Sequence, residues 1–165
     1  MSKWLRGTLV AVVVIALVLI GAFRDFLFVN INFQLHYMWA NLTTNKTHSF
    51  FSFLNDYTYW EIYYAKFALT GIFALIYLAL TLLLLKLIFN QRRYAKITII
   101  LFAVMIGISL IFFGGGYLFG DPHTGYDLAR HFMGIVQSPM PAMVLIPFFL
   151  LWKQLQPATA KNLPD

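Results

Sequence analysis

Residues 66–89 read KFALTGIFALIYLALTLLLLKLIF, with no charge between Lys66 at one end and Lys86 near the other. As an α-helix these residues would extend about 36 Å at a rise of about 1.5 Å per residue. That is enough to cross about 30 Å of hydrocarbon. A membrane β-strand would alternate apolar and polar positions over about ten residues, and this stretch does not alternate. In lipid every backbone N–H and C=O must be paired within the protein, so an unbroken apolar run of this length predicts a transmembrane helix.

Working outward, three more runs have the same character: Trp4–Phe23, Ile97–Phe119 and Leu128–Trp152. The expected fold is an all-α integral membrane protein with four transmembrane helices, one membrane domain over residues 1–165 with spans at 4–23, 66–89, 97–119 and 128–152. A long aromatic outer loop, 24–65, joins the first two spans. A short basic turn, Asn90–Lys96, joins the second and third. A turn-rich segment, Gly120–Asp127, leads into the fourth. The tail 153–165, with Pro157 and Pro164, reads as flexible. The whole composition agrees, with 61% hydrophobic and 11% charged residues and a mean hydropathy of +0.74. Soluble domains carry roughly 25% charged residues. The N-terminal run could be a signal peptide. It is expected to be retained, because large Phe23 and charged Arg24-Asp25 stand where a small-residue cleavage site would be needed.

Charge orients the helices. Lys3, Arg6, Lys86, Arg92, Arg93, Lys96, Lys153 and Lys161 fall on one side, with Asp165 as its acid. The other side has Arg24, Lys46, Lys66 and Arg130 with Asp25, Asp56, Glu61, Asp121 and Asp127. The positive-inside rule makes the first side cytoplasmic and puts both termini there. The formal charge of +6 is therefore read as topology. Clusters at the ends of apolar runs are not a nucleic-acid footprint, so no nucleic-acid partner is expected.

The chain has no cysteine, which rules out disulfides, thiolate metal ligands and a thiol nucleophile. The outer loop is dense in aromatics, a composition that favours the headgroup interface. It is read as helices lying flat on the outer leaflet, or as a groove for a lipid or partner. Asp121, His123, Asp127, Arg130 and His131 gather Asp, His and Arg in a short stretch, as acid–base or metal sites do. The same residues serve equally as turn and cap chemistry around Pro122 and Gly125. Asp127 and Arg130 are spaced to pair on one helix face. Gln137 lies deeper in the fourth span and needs a partner in hydrocarbon. The partner is expected across a helix interface, or at a carbonyl freed by Pro139 or Pro141. Neither a catalytic set, a metal site nor a cofactor is expected. Haem in particular would want axial histidines within spans.

Two stretches carry a resemblance to a family. Ala129–Pro139 (ARHFMGIVQSP) with Leu145–Phe149 (LIPFF), and Phe23–Phe28 (FRDFLF), resemble small four-span membrane proteins that accompany exosortases in Bacteroidota. The resemblance implies a role beside an exosortase, a membrane transpeptidase that processes sorting signals of exported proteins. Exosortases use a catalytic cysteine, which this chain lacks. The function expected is thus a non-enzymatic accessory subunit in the bacterial inner membrane, in contact with lipids and with another integral membrane protein. Candidate binding residues are Arg130, His131, Gln137, Asp127, Asp121 and His123. The alternatives are a membrane enzyme or lipid-handling protein with an outer-leaflet Asp/His/Arg pocket, and a small subunit of a respiratory or other membrane complex.

Overall fold

A computed structural model describes residues 2–160, with side chains to Leu155. The described residues are mostly helical, without strands: α1 Lys3–Trp39, a 3-10 segment Ser49–Asp56, α2 Tyr59–Phe89, α3 Arg92–Leu118, α4 Pro122–Val136 and α5 Met140–Ala160. Helices α1, α2 and α3 are each long and apolar enough to cross a membrane. Helices α4 and α5 pass the same test only as a pair, bent by 56°.

The helices pack loosely for an aqueous protein. Within its most apolar 18 residues, α1 is 11% buried, and α3 17%. Apolar surface left outside on that scale needs lipid or a partner to cover it. The central core joins Val13 and Leu17 of α1, Tyr77 and Leu84 of α2, Phe102 of α3 and Val136 of α4. Gly21 makes room for Tyr77, whose hydroxyl donates to the Leu17 carbonyl at 3.2 Å. At one end, the Arg6 guanidinium donates to the carbonyls of Leu87 and Ile88. This covers the negative end of α2. Beside it, Leu85, Tyr94, Leu145 and Phe149 form a second cluster, and the Arg93 guanidinium lies 4.9 Å over the Trp152 ring.

Helices α3 and α4 make the tightest contact. The Cα of Gly125 stands 2.7 Å from where a Cβ on Gly116 would be. Ser109 Oγ donates to the Ala129 carbonyl at 2.9 Å, and the rings of Phe112 and Phe132 stack at 5.4 Å. Small residues allow this approach, and packing without a hydrophobic driving force depends on it.

Several boundaries differ from expectation. The segment 24–65, bounded as a loop but read as helices or a groove, is helical over most of its length. Helix α1 continues unbroken to Trp39, because residues 24–39 hold neither Gly nor Pro and bury Ile31 and Leu35 one turn apart. It ends where Asn41 turns left-handed at φ 47°. Helix α2 begins early, at a Thr58–Glu61 capping box in which the Thr58 N–H donates to Glu61 Oε2 at 2.8 Å. The fourth apolar run, expected to be interrupted at its prolines, breaks between Val136 and Met140 into α4 and α5. Asp121 caps α4 with Pro122 in its first turn, so the turn before it is short. At the break, the Ser138 hydroxyl donates to the Ile135 carbonyl at 2.7 Å and accepts from the Met140 N–H at 3.2 Å. Pro139 and Pro141 supply no N–H with which the first helix could continue. The expected flexible tail is helical as far as Ala160. Lys161 and Asp165 lie outside the described residues.

Candidate functional site

The buried polar groups meet where the fourth apolar run breaks. Gln137 ends α4 and is 2% exposed. Its Oε1 accepts from Arg24 Nε at 3.2 Å and Nη2 at 3.0 Å. Its Nε2 donates to the Thr70 carbonyl at 2.8 Å. The guanidinium also donates through Nη1 to Asp25 Oδ1 at 2.7 Å, and its Cζ lies 4.9 Å over the Phe28 ring. An amide carries an acceptor and a donor in one planar group. Glutamine therefore bridges a cation on α1 to a carbonyl on α2, which neither Leu nor Glu could do.

The depth of this junction follows from helix rise. Arg24 lies about 27 Å along α1 from Arg6, and Thr70 about 26 Å along α2 from Leu87, at about 1.5 Å per residue. Arg6 and Leu87 touch, so the two paths share an origin and agree. The junction thus stands about 26–27 Å along the helices from that end, a length close to the about 30 Å thickness of a hydrocarbon layer. Arg24 is 22% exposed there and its ion-pair partner Asp25 69%.

Of the six residues singled out in the sequence, Gln137 alone enters this junction. It bonds across helices as expected, to Thr70 rather than to a carbonyl freed by a proline. The other five lie on exposed positions of α4 and its cap. Asp121 Oδ1 accepts from the Thr124 N–H at 3.1 Å. Its bonds to Thr124 hold the carboxyl below the ordinary carboxylate range, with the nearby His123 adding to the effect. Asp127 and Arg130, spaced to pair, are not joined. Neither side chain has a hydrogen bond or ion pair among the described residues. His131 turns back on its own helix, with Nδ1 2.7 Å from the Asp127 carbonyl. Among the described residues, no three His, Asp or Glu side chains gather to hold a metal ion.

Beyond the junction, α1 and the chain after it build a second polar centre. Gln34, 1% exposed, donates to Asn55 Oδ1 at 3.0 Å and accepts from Asn45 Nδ2 at 2.7 Å. Asn30, 5% exposed, accepts from the His48 N–H at 2.8 Å. These bonds fasten residues 45–55 to α1 over a small core of Ile31, Leu35, Phe51, Leu54 and Ile62. The segment after α1 is thereby a built knob, with Phe50 and Phe53 turned outward.

Sequence reading missed Arg24, Asn30 and Gln34. Arg24 counted only as an outer charge, although an arginine at the rim of one apolar run and a glutamine inside another are natural complements. Asn30 and Gln34 are one helical turn apart on the face that buries Ile31 and Leu35. That signal is visible only once residues 24–39 are read as helix. Compared with known proteins, the chain matches no family model, no curated protein and no solved structure.

Proposed function

We propose that the chain crosses a bacterial inner membrane four times, with both termini in the cytoplasm, and serves as a non-enzymatic accessory subunit of another integral membrane protein in an exosortase-type sorting system. Two contacts support the fourth crossing. Helix α4 starts beside the end of α3, and α5 brings Trp152 to Arg93 at the start of α3. The bent pair therefore runs between the same two ends as α3. The observation that carries the accessory role is the outward face of α4. Its inner face is used on α3, while Asp127 and Arg130 are exposed and unengaged among the described residues. Arg130 lies seven residues outward of Gln137 on α4, about 10 Å at about 1.5 Å per residue, in reach of the headgroup layer and of a partner's outer surface. A partner carboxylate or phosphate suits its guanidinium fork. The two stretches that resemble exosortase-associated proteins also meet each other, through Arg24 and Gln137.

The test is purification of the tagged protein in mild detergent with identification of co-purifying membrane proteins, for wild type, Arg130→Gln and Arg130→Lys. The expected result is an exosortase-like partner, lost from both variants at unchanged membrane abundance. Undiminished recovery with both variants would remove α4 as the docking face. A co-purifying respiratory subunit would replace the sorting assignment.

A further inference from the structure

The chain after α1 doubles back along that helix and then returns. Gln34 holds both arms of the excursion: it accepts from Asn45 Nδ2 on the way out and donates to Asn55 Oδ1 on the way back. Between the arms the chain dips toward the basic end of α1. The His48 N–H donates to Asn30 Oδ1, one helical turn below Gln34. One turn lower still, the Phe26 ring meets the rings of His48 at 5.7 Å and Phe51 at 5.5 Å. The tip of the dip is therefore Phe50-Phe51-Ser52-Phe53, which carries no charge. Phe51 is buried in the knob's small core. Phe50 and Phe53 flank it, with ring centroids 5.3 and 6.1 Å from its own, and are 70% and 50% exposed.

Level and continuity decide what surrounds this tip. Phe26 lies about 30 Å along α1 from Arg6 at about 1.5 Å per residue, a length that matches one hydrocarbon thickness. Gln34 lies about 12 Å further out. The knob is polarised along the same direction. Its far end is the mostly polar stretch Asn41–Lys46, and its near end is the phenylalanine tip. On α1, Ile15, Leu19, Phe23 and Phe26 are all exposed, and their spacing puts them on one face of the helix. This apolar stripe ends at Phe26, where the tip begins, so the two form one continuous surface. Where α1 crosses a membrane, the stripe is covered by acyl chains, and the tip stands where that cover meets the headgroups. Phenylalanine side chains beside a polar face suit that boundary.

We propose that the knob is a membrane anchor: Phe50 and Phe53 insert at the boundary between headgroups and acyl chains in the leaflet opposite the basic end, and the Gln34 clasp holds the dip at that level. The polar stretch Asn41–Lys46 then stays in water. The inference rests on the crossing of α1 proposed above.

Because the chain has no cysteine, a nitroxide spin label can be placed on single-cysteine variants without background. Phe50→Cys, Phe53→Cys, Ile15→Cys and Thr44→Cys all change exposed positions, so the fold is kept. Each labelled full chain is reconstituted in vesicles of phosphatidylethanolamine and phosphatidylglycerol. Collision of the label with oxygen, which concentrates in lipid, is compared with collision with a water-soluble nickel chelate. The expected result is oxygen dominance at Ile15, nickel dominance at Thr44, and oxygen dominance at Phe50 and Phe53 with a smaller ratio than at Ile15. Nickel dominance at Phe50 and Phe53 would overturn the proposal by placing the tip in water. Shielding of both labels from both reagents would overturn it by showing a protein cover. Nickel dominance at Ile15 would remove the crossing of α1 and the anchor with it, so the Ile15 label separates failure of the topology from failure of the anchor alone.

Discussion

Replacing Gln137 by leucine removes the acceptor of two guanidinium N–H groups and the donor to the Thr70 carbonyl. A hydrogen bond to a charged group contributes about 1.5–3 kcal/mol, while polar contacts measured in membranes average about 0.6 and reach about 1.7 kcal/mol. Since Arg24 keeps Asp25 and some exposure, the lower range applies. Gln137→Leu should cost about 1–2 kcal/mol, and Arg24→Met somewhat less, because it leaves an amide oxygen rather than a charge without its partner. The double variant should cost less than the sum by about 0.5–1 kcal/mol, as residues in direct contact do. Thermal unfolding in detergent over this cycle measures the coupling, and strict additivity would mean that Arg24 and Gln137 do not bond. That Gln137 needs a partner follows from an amide in hydrocarbon. Which group supplies it does not, since Arg24 is 113 positions away along the chain.

Helix contacts are set by groups too small or too local for composition to reveal. Gly116→Ala would put a Cβ 2.7 Å from the Gly125 Cα and 2.9 Å from the Asp121 carbonyl. Backbone cannot yield there as a flexible side chain would, so a loss of about 1–3 kcal/mol is expected. Gly114→Ala, two residues earlier on the same helix, meets nothing within 4 Å. It should be neutral or favourable by up to about 1 kcal/mol through helix propensity. Thermal midpoints of the two variants separate a packing glycine from an incidental one, and the sequence presents both in one run, Gly114-Gly115-Gly116. The cap of α4 gives a pH test. Because the bonds to Thr124 depress the Asp121 pKa in the folded protein, its contribution is complete above the unfolded value of about 3.9. It is lost as pH falls through the lower folded value. Protection of the Thr124 amide, measured against its intrinsic exchange rate at each pH, should therefore fall in acid in the wild type, and Asp121→Asn should show no such step. In the knob, Gln34→Leu frees Asn55, Asn45 and Thr47 together. Limited proteolysis should then cut residues 40–48 faster than in the wild type.

For the molecule as a whole, the decisive measurement is the side on which its ends lie. Reporters at Arg93 and after Asp165 should read cytoplasmic, and one near Lys46 external. If α4 and α5 dipped into the outer half and returned, the C-terminal reporter would read external while that at Arg93 stayed cytoplasmic. Such a result would break the four-crossing proposal at one helix pair. The sequence by itself determined the helical class, the membrane-length runs and the basic ends, because hydrocarbon imposes length, backbone pairing and charge exclusion residue by residue along the chain. It misjudged residues 24–39, where amphipathic helix outside the apolar run carries enough polar and aromatic residues to read as loop. It also read Leu128–Trp152 as one span interrupted at its prolines, which the structure shows as a 56° bend between α4 and α5; the angle itself is set by packing. Tertiary structure alone decided that Arg24 meets Gln137, that Asn30 and Gln34 clasp the knob, that Asp127 and Arg130 stay apart, and that Lys66 bonds Tyr126. Each is a contact between residues distant in the chain, or a choice of rotamer within it, fixed by how helices cross and by which buried polar group finds its complement first within hydrogen-bond reach.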